Sequence, residues 1–246
     1  MTVEVKRAGS RRYERLDWLH AWHCLTGPEY VRGTDSHFGV LVNNDHGIMS
    51  AGTGFDHHYH RNMEIITWVL DGSVVHQDTR GHSGIIHPGL AQRMTSGRGI
   101  LHSERNDSWV LDGPRHERDV ELVQMWVVPD TAGVNPSYEQ LDITTDLDAG
   151  GLVLLATGIP KYEVDAAIRI RNRFASLWVA RLQPGGTVTL PSAPWVHVYV
   201  PRGSVDIEGA GVLGAGDALR STDEQGRRVT AVEASELLVW EMFTSL

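Results

Sequence analysis

Cysteine is almost missing from this chain of 246 residues: Cys24 is the only one. A lone thiol excludes an intramolecular disulfide and a thiolate-built metal site, and it fits a reducing cytoplasm. Also missing are a signal-peptide-like apolar start and any apolar run of membrane-span length, so a soluble protein away from membranes is expected. There is no basic excess. The net charge is −9 and the pI about 5.8, which excludes the electrostatic footprint of a nucleic-acid binder. The basic residues near the start (Lys6, Arg7, Arg11, Arg12, Arg15) alternate with Glu4, Glu14 and Asp17 and read as a solvated face. No serine-nucleophile elbow, phosphate loop, dinucleotide fingerprint or paired-cysteine zinc motif occurs. What remains is an ordinary globular composition, long enough to bury a substantial core in one large domain or two smaller ones.

Histidine is what the chain has, and it is unevenly placed. Of 13, eight fall between His46 and His102, and only His197 lies beyond His116. The first half therefore looks chemical and the second structural. Strand signals run through both. Glu64–Leu70 is rich in β-branched and aromatic residues, stops at Asp71-Gly72, and Ser73–Asp78 runs back as a hairpin. Gly84–His87, Ala91–Thr95, Ile100–Glu104 and Val120–Val128 follow, separated by Pro-Gly and Gly-x-Gly turns. From Asp130 to Gly151 the composition shifts to Gly, Asn-Pro and Asp. This stretch reads as a linker over 131–151, with one helical turn near Tyr138-Glu139-Gln140. Strands resume at Leu152–Ala156, Leu177–Leu182, Val196–Val200, Val205–Ile207 and Leu237–Phe243. Many short strands with Gly and Pro punctuation predict an all-β sandwich or barrel.

The halves share a faint repeat. Gly72-Ser73-Val74 recurs as Gly203-Ser204-Val205, and Pro88-Gly89-Leu90-Ala91 is echoed by Ala215-Gly216-Asp217-Ala218. Carried across without gaps, His58, His60 and Glu64 fall on Thr189, Pro191 and Trp195, and His102 and Glu104 fall on Val229 and Ala231. The second half is thus expected to lack a metal site.

His58 and His60, two apart on a strand, project from one face, and His57 should point away. Glu64 shares their parity. A second pair, His102-Ser103-Glu104, follows the hairpin that would fold it back beside the first. Imidazoles and a carboxylate in one pocket make a first-row transition-metal site. His76, His82 and His87 lie near turns and read as surface or hydrogen-bonded residues, and His197 has no useful partner. Trp68, Gln92, Met94 and Gln124 are candidates for lining the cavity, with a core role expected at least equally for the apolar two, and Arg98 for fixing its turn.

Phe55–Ile65, Pro88–Glu104 and Pro136–Gln140 resemble the signature segments of the pirin family within the cupin superfamily, matching in order and spacing across roughly residues 18–140. The second half is similar more loosely. The resemblance, to bacterial pirins of the quercetinase type, implies a bicupin: two double-stranded β-helix (jelly-roll) barrels face to face, with few short helices. The expected division is a metal-binding cupin over 1–130, a linker over 131–151 and a degenerate, metal-free cupin over 152–246. Carried over residue by residue, the ligands it implies are His58, His60, His102 and Glu104. Glu64 is the rival, because general cupins use the carboxylate at that place, whereas pirins resemble one another in using the later one. Same-face projection of His102 and Glu104 also favours Glu104, which leaves Glu64 as a pocket residue. Tyr59 stands where the family often has proline, and the Glu64-to-Gly72 spacing is one longer than in general cupins; neither touches a ligand.

The resemblance implies one divalent transition metal, Fe(II) first, with Ni, Mn, Co, Cu or Zn also suited to these ligands. It implies a small aromatic or enol substrate plus O₂, and an activity like quercetin 2,3-dioxygenase. Glu104 would take the flavonol 3-hydroxyl proton, and the ring would open with loss of CO. Other pirins act as metal- or redox-sensing regulators that bind a transcription factor or metabolic enzyme, so a protein partner without turnover is the alternative. A sugar- or small-acid-modifying cupin working with Zn is a third. A monomer is expected.

Overall fold

Strand-forming runs broken by glycine turns build almost the whole molecule. The computed structural model describes residues 2–26, 36–107 and 116–246. Along the first half run β1 (Thr2–Lys6), β2 (Arg12–Arg15), β3 (Leu19–Thr26), β4 (Leu41–Met49), β5 (Gly54–His60) and β6 (Glu64–Asp71). They continue as β7 (Val74–Asp78), β8 (Ser83–Ile86), β9 (Leu90–Thr95), β10 (Ile100–Arg105), β11 (Val120–Val127) and β12 (Ser137–Asp142). A short helix, α1 (Thr144–Asp148), leads to β13 (Val153–Thr157), β14 (Ile168–Arg169), β15 (Ala175–Leu182), β16 (Thr187–Thr189) and β17 (Trp195–Arg202). The chain closes with β18 (Ser204–Ile207), β19 (Gly211–Gly214), β20 (Ala218–Thr222), β21 (Arg228–Ala231) and β22 (Ser235–Met242).

These strands form two barrels of the same plan. One large sheet runs β12-β9-β6-β11-β4-β3-β2 and is closed by the small sheet β5-β10-β7-β8. The other runs β1-β20-β17-β22-β15-β13-β14 and is closed by β16-β21-β18-β19. Strand for strand the orders correspond, so the faint repeat is a duplicated fold. The large sheets face each other across a shared apolar layer. Ile66, Trp68, Leu70, Val123 and Met125 of one meet Leu177, Val179, Tyr199, Leu238 and Trp240 of the other. The all-β bicupin expected from the sequence is the observed architecture.

Two segments depart from the sequence reading. Tyr138-Glu139-Gln140, expected as a helical turn in a linker, lies in β12, which pairs with β9 from Ser137↔Thr95 to Asp142↔Leu90. The only helical turns nearby are those of α1, just beyond it. β1 also leaves its own half, pairing with β20 of the second sheet. Each large sheet is thus completed at one edge by a strand lying outside its main run of sequence.

The barrels differ inside. His102 of β10 pairs with His58 on one side and Asp78 on the other. Val229 of β21 occupies the corresponding place, pairing with Val188 and Ile207. All three apolar residues belong to a packed core that fills the second barrel. The register puts Val188, one residue from Thr189, opposite the His102 counterpart.

Candidate metal centre

β5 and β10 are antiparallel neighbours with His58 opposite His102, so one cross-strand pair and the i+2 residue His60 bring three imidazoles together. Ring centroids are 4.3 Å apart for His58–His102, 4.9 Å for His58–His60 and 5.0 Å for His60–His102. One ligand atom from each lies within 4.8 Å of the others. His76, His102 and Glu104 form a second such group at the same spacing, so His102 belongs to both. The approach of β5 to β10 depends on Gly54 (φ 155°), where a Cβ would fall on the Glu104 carbonyl and the Arg105 Cα. His57 is exposed, as its parity requires.

The ring nitrogens fit a metal. His58 Nδ1 lies 2.8 Å from the Asp56 carbonyl, which can only accept, so Nδ1 carries the proton and Nε2 keeps its lone pair. His60 Nε2 and His102 Nε2 are buried without a hydrogen-bond partner among the described residues. Burial, with His58 beside it, lowers the His60 pKa to about 4. Burial foremost, with the neighbouring imidazoles, lowers that of His102 to about 3 against the pull of Glu104. Neutral imidazoles with free nitrogens are what a divalent cation requires.

Glu104 is buried and fully engaged. Its Oε1 accepts from Thr67 Oγ1 at 2.9 Å and its Oε2 from Gln124 Nε2 at 2.7 Å. Trp126 Nε1, purely a donor, donates to Gln124 Oε1 at 3.0 Å and so fixes the amide with its NH₂ toward Glu104. Burial pushes the Glu104 pKa up. His102, His76 and these two hydrogen bonds outweigh it and leave the carboxyl below its usual value.

Glu64 is not in this pocket. Asn62, at φ 50°, turns the chain between β5 and β6, so the strand parity of His58 and His60 does not extend to Glu64. Its side chain faces the other barrel, where Oε2 accepts from Thr95 Oγ1 at 2.8 Å and the Arg171 backbone N–H at 3.0 Å. The rival carboxylate is thereby displaced from the histidines, and so is the expected pocket role. Trp68 also points between the barrels, donating its indole N–H to Glu236. Gln124 does line the cavity. Gln92 and Met94 are buried, and Arg98 is exposed in its turn.

Of the two expectations for His76, surface or hydrogen-bonded, the structure shows the second: it is fully buried, with Nδ1 3.4 Å from His102 Nδ1 and Nε2 3.5 Å from Asp78 Oδ2. Tyr138 stacks on its ring at 4.8 Å. The signal was its parity on β7, shared with buried Val74 and Asp78 and opposed by exposed Gln77. His82 caps the chain, its Nδ1 3.0 Å from Asp78 Oδ2.

A cavity of about 620 Å³ opens beside these residues, lined by His58, His60, Glu104, Gln124 and Trp126 and by apolar side chains of β3, β4 and β11. Its size suits a small molecule of a few rings. Set against known proteins, residues 9–127 match the Pirin family model and residues 160–242 that of the quercetinase C-terminal cupin domain. A putative quercetin 2,3-dioxygenase of Mycobacterium tuberculosis is 47% identical over 245 residues, covering 100% of this chain and 97% of the relative. This chain belongs to the pirin family. Quercetin 2,3-dioxygenase of Escherichia coli is similar at 29% identity, with 98% of each covered. A bacterial pirin from the same organism, solved in complex with nickel(II), superimposes with a TM-score of 0.85 at 27% identity, with both chains covered completely. The pirin bicupin is therefore common to sequence and fold, and its His/Glu cluster suits a divalent metal. No helix among the described residues is long and apolar enough to cross a membrane.

Proposed function

We propose that this pirin is a metal-dependent dioxygenase that opens flavonols such as quercetin, with His58, His60, His102 and Glu104 as the ligands of one ion, Fe(II) in preference to Ni, Mn, Co, Cu or Zn. The reading is supported by the meeting of His58, His60 and His102, by an ionised, hydrogen-bonded Glu104 grouped with His102, and by a cavity of polyphenol size beside them. When bound, the metal would supply a Lewis acid with open positions and a redox route to O₂. His58, held by its Nδ1–H on Asp56, and His60, packed edge-on against Trp126 at 5.0 Å, would keep the ligand nitrogens aimed. Glu104 would receive the 3-hydroxyl proton. Thr67 and Gln124 steady its two oxygens while leaving each a further lone pair. Leu19, Ala21, Met49 and Leu122 would exclude water from the apolar rings. The metal is assigned to the first barrel (1–130) alone, since Val188 and Val229 stand where the second would need the counterparts of His58 and His102. A cytoplasmic location accords with the single free thiol.

Oxygen uptake with quercetin, measured on protein reconstituted in turn with each metal, tests the reading. Native protein should consume O₂, and His58→Ala should lose at least about a hundredfold of that rate. Silence with Fe, Ni, Mn, Co and Cu alike would replace the dioxygenase with the regulatory reading, a metal sensor that binds a protein partner.

A further inference from the structure

The cavity floor carries a polar row that runs on beyond the residues the metal chemistry uses. On the large sheet of the first barrel, Thr67 lies opposite Gln124, Gln124 opposite Asp45, Asp45 opposite His23, and His23 opposite Arg12. Directly paired residues share a face, so this row runs across β6, β11, β4, β3 and β2 from the donors of Glu104 to the sheet edge. Gln124, Asp45, His23 and Arg12 all line the cavity. His23 sits two strand spacings from Gln124, about 10 Å. The adjacent row, Leu122, Gly47, Ala21 and Glu14, has its two smallest residues at the centre and leaves a shallow floor on which a flat ring can lie.

At the far end of this floor stands a buried ring nitrogen without a partner. His23 Nδ1 lies 2.8 Å from Asp45 Oδ1. His23 Nε2 is buried and without a hydrogen-bond partner among the described residues. Glu14 Oε2, paired with Arg12 at 3.2 Å, lies 3.6 Å from it. A buried imidazole nitrogen beside a carboxylate calls for a ligand that brings hydroxyls, which donate to the carboxylate and meet the nitrogen as donor or acceptor.

We infer that His23 and Glu14 form a recognition subsite for phenolic hydroxyls on the ring of the substrate remote from the metal, selecting polyphenols whose pendant ring carries free, adjacent hydroxyls. The inference rests on the dioxygenase reading, which places the other end of the molecule at His58, His60 and His102. One hydroxyl pairs with His23 Nε2 and its neighbour donates to Glu14. A methyl ether in the same place keeps the shape but has no proton to give the carboxylate and crowds the buried nitrogen.

The test is binding under anaerobic conditions to nickel-loaded protein, followed by tryptophan quenching or calorimetry. The ligands are quercetin and quercetin methylated at both pendant-ring hydroxyls. Quercetin should bind at least about tenfold tighter. That ratio should fall toward one in His23→Phe and shrink in Glu14→Gln, with melting temperature reported for each. The native-protein comparison stands even if a variant fails to fold. Equal affinity of the two ligands for native protein that still turns quercetin over overturns the subsite and spares the dioxygenase. Failure of quercetin either to bind or to be turned over overturns both.

Discussion

His102 meets different partners through its two ring nitrogens. Nε2 is bare and buried among His58 and His60, whereas Nδ1 faces His76, and His76 in turn faces Asp78. On the proposed reading, a metal on Nε2 would fix the His102 proton on Nδ1, the His76 lone pair on Nδ1 and the His76 proton on Nε2, directed at a carboxylate. This would be the carboxylate–imidazole support of metal ligands lengthened by one ring. His76→Phe, which keeps the bulk and removes the nitrogens, should weaken metal binding by about 10–100-fold in competition with a chromophoric chelator. Unaltered affinity would deny His76 any part in orienting His102. Much of the cluster was legible from residues two apart, because strand parity is a local property. Glu64 was misplaced by the same rule, since one residue of positive φ at Asn62 resets parity and nothing in the sequence around it announces the break. For His76 the sequence left surface and hydrogen-bonded positions open, and its alternation with exposed Gln77 on β7 is what decides for the buried one.

Among the strands, β5 is the one whose position decides the chemistry, and its seat is a glycine. Between Phe55 and His58 the register against β10 shifts, Asp56 and His57 opposing the single residue Ser103, and Gly54 admits the close approach at the start of that bulge. Gly54→Ala should push the strands apart, lowering both metal affinity and melting temperature, with about 1–3 kcal/mol lost from stability by denaturant titration. A variant with native values for both would show that β5 has other anchors. The buried strands were visible in sequence because β-branched runs ending at Asp71-Gly72 or Pro88-Gly89 have few alternatives. β12 was not. Its Ser-Tyr-Glu-Gln-Leu-Asp run has no buried residue, and only pairing with β9 makes it a strand.

Across the whole molecule, the two barrels meet through carboxylates as well as apolar side chains. Glu64 is wholly buried at that contact, facing Arg93, Thr95 and the Arg171 backbone, and burial lifts its pKa to about 7 over the opposition of those three. A folded-state pKa above the unfolded one means stability that is complete below about pH 4.5 and lost as pH rises through about 7. Glu64→Gln should therefore gain on the native protein as pH goes from 5 to 8, by up to a few kcal/mol, in paired unfolding curves. A stability difference that stays constant over that interval would mean that Glu64 titrates normally.

The exchange of β1 has a consequence for synthesis. Thr2 ends beside Thr222, 220 residues away, its backbone N–H donating to the threonine hydroxyl at 3.0 Å. On the ribosome the first barrel has all its strands once Asp142 has emerged, whereas β1, made before them, must wait for β20. Such a long loop closes slowly and late. The order of translation is thus opposite to the order of assembly at this edge, and β1 acts as a latch fastened after the strands that follow it.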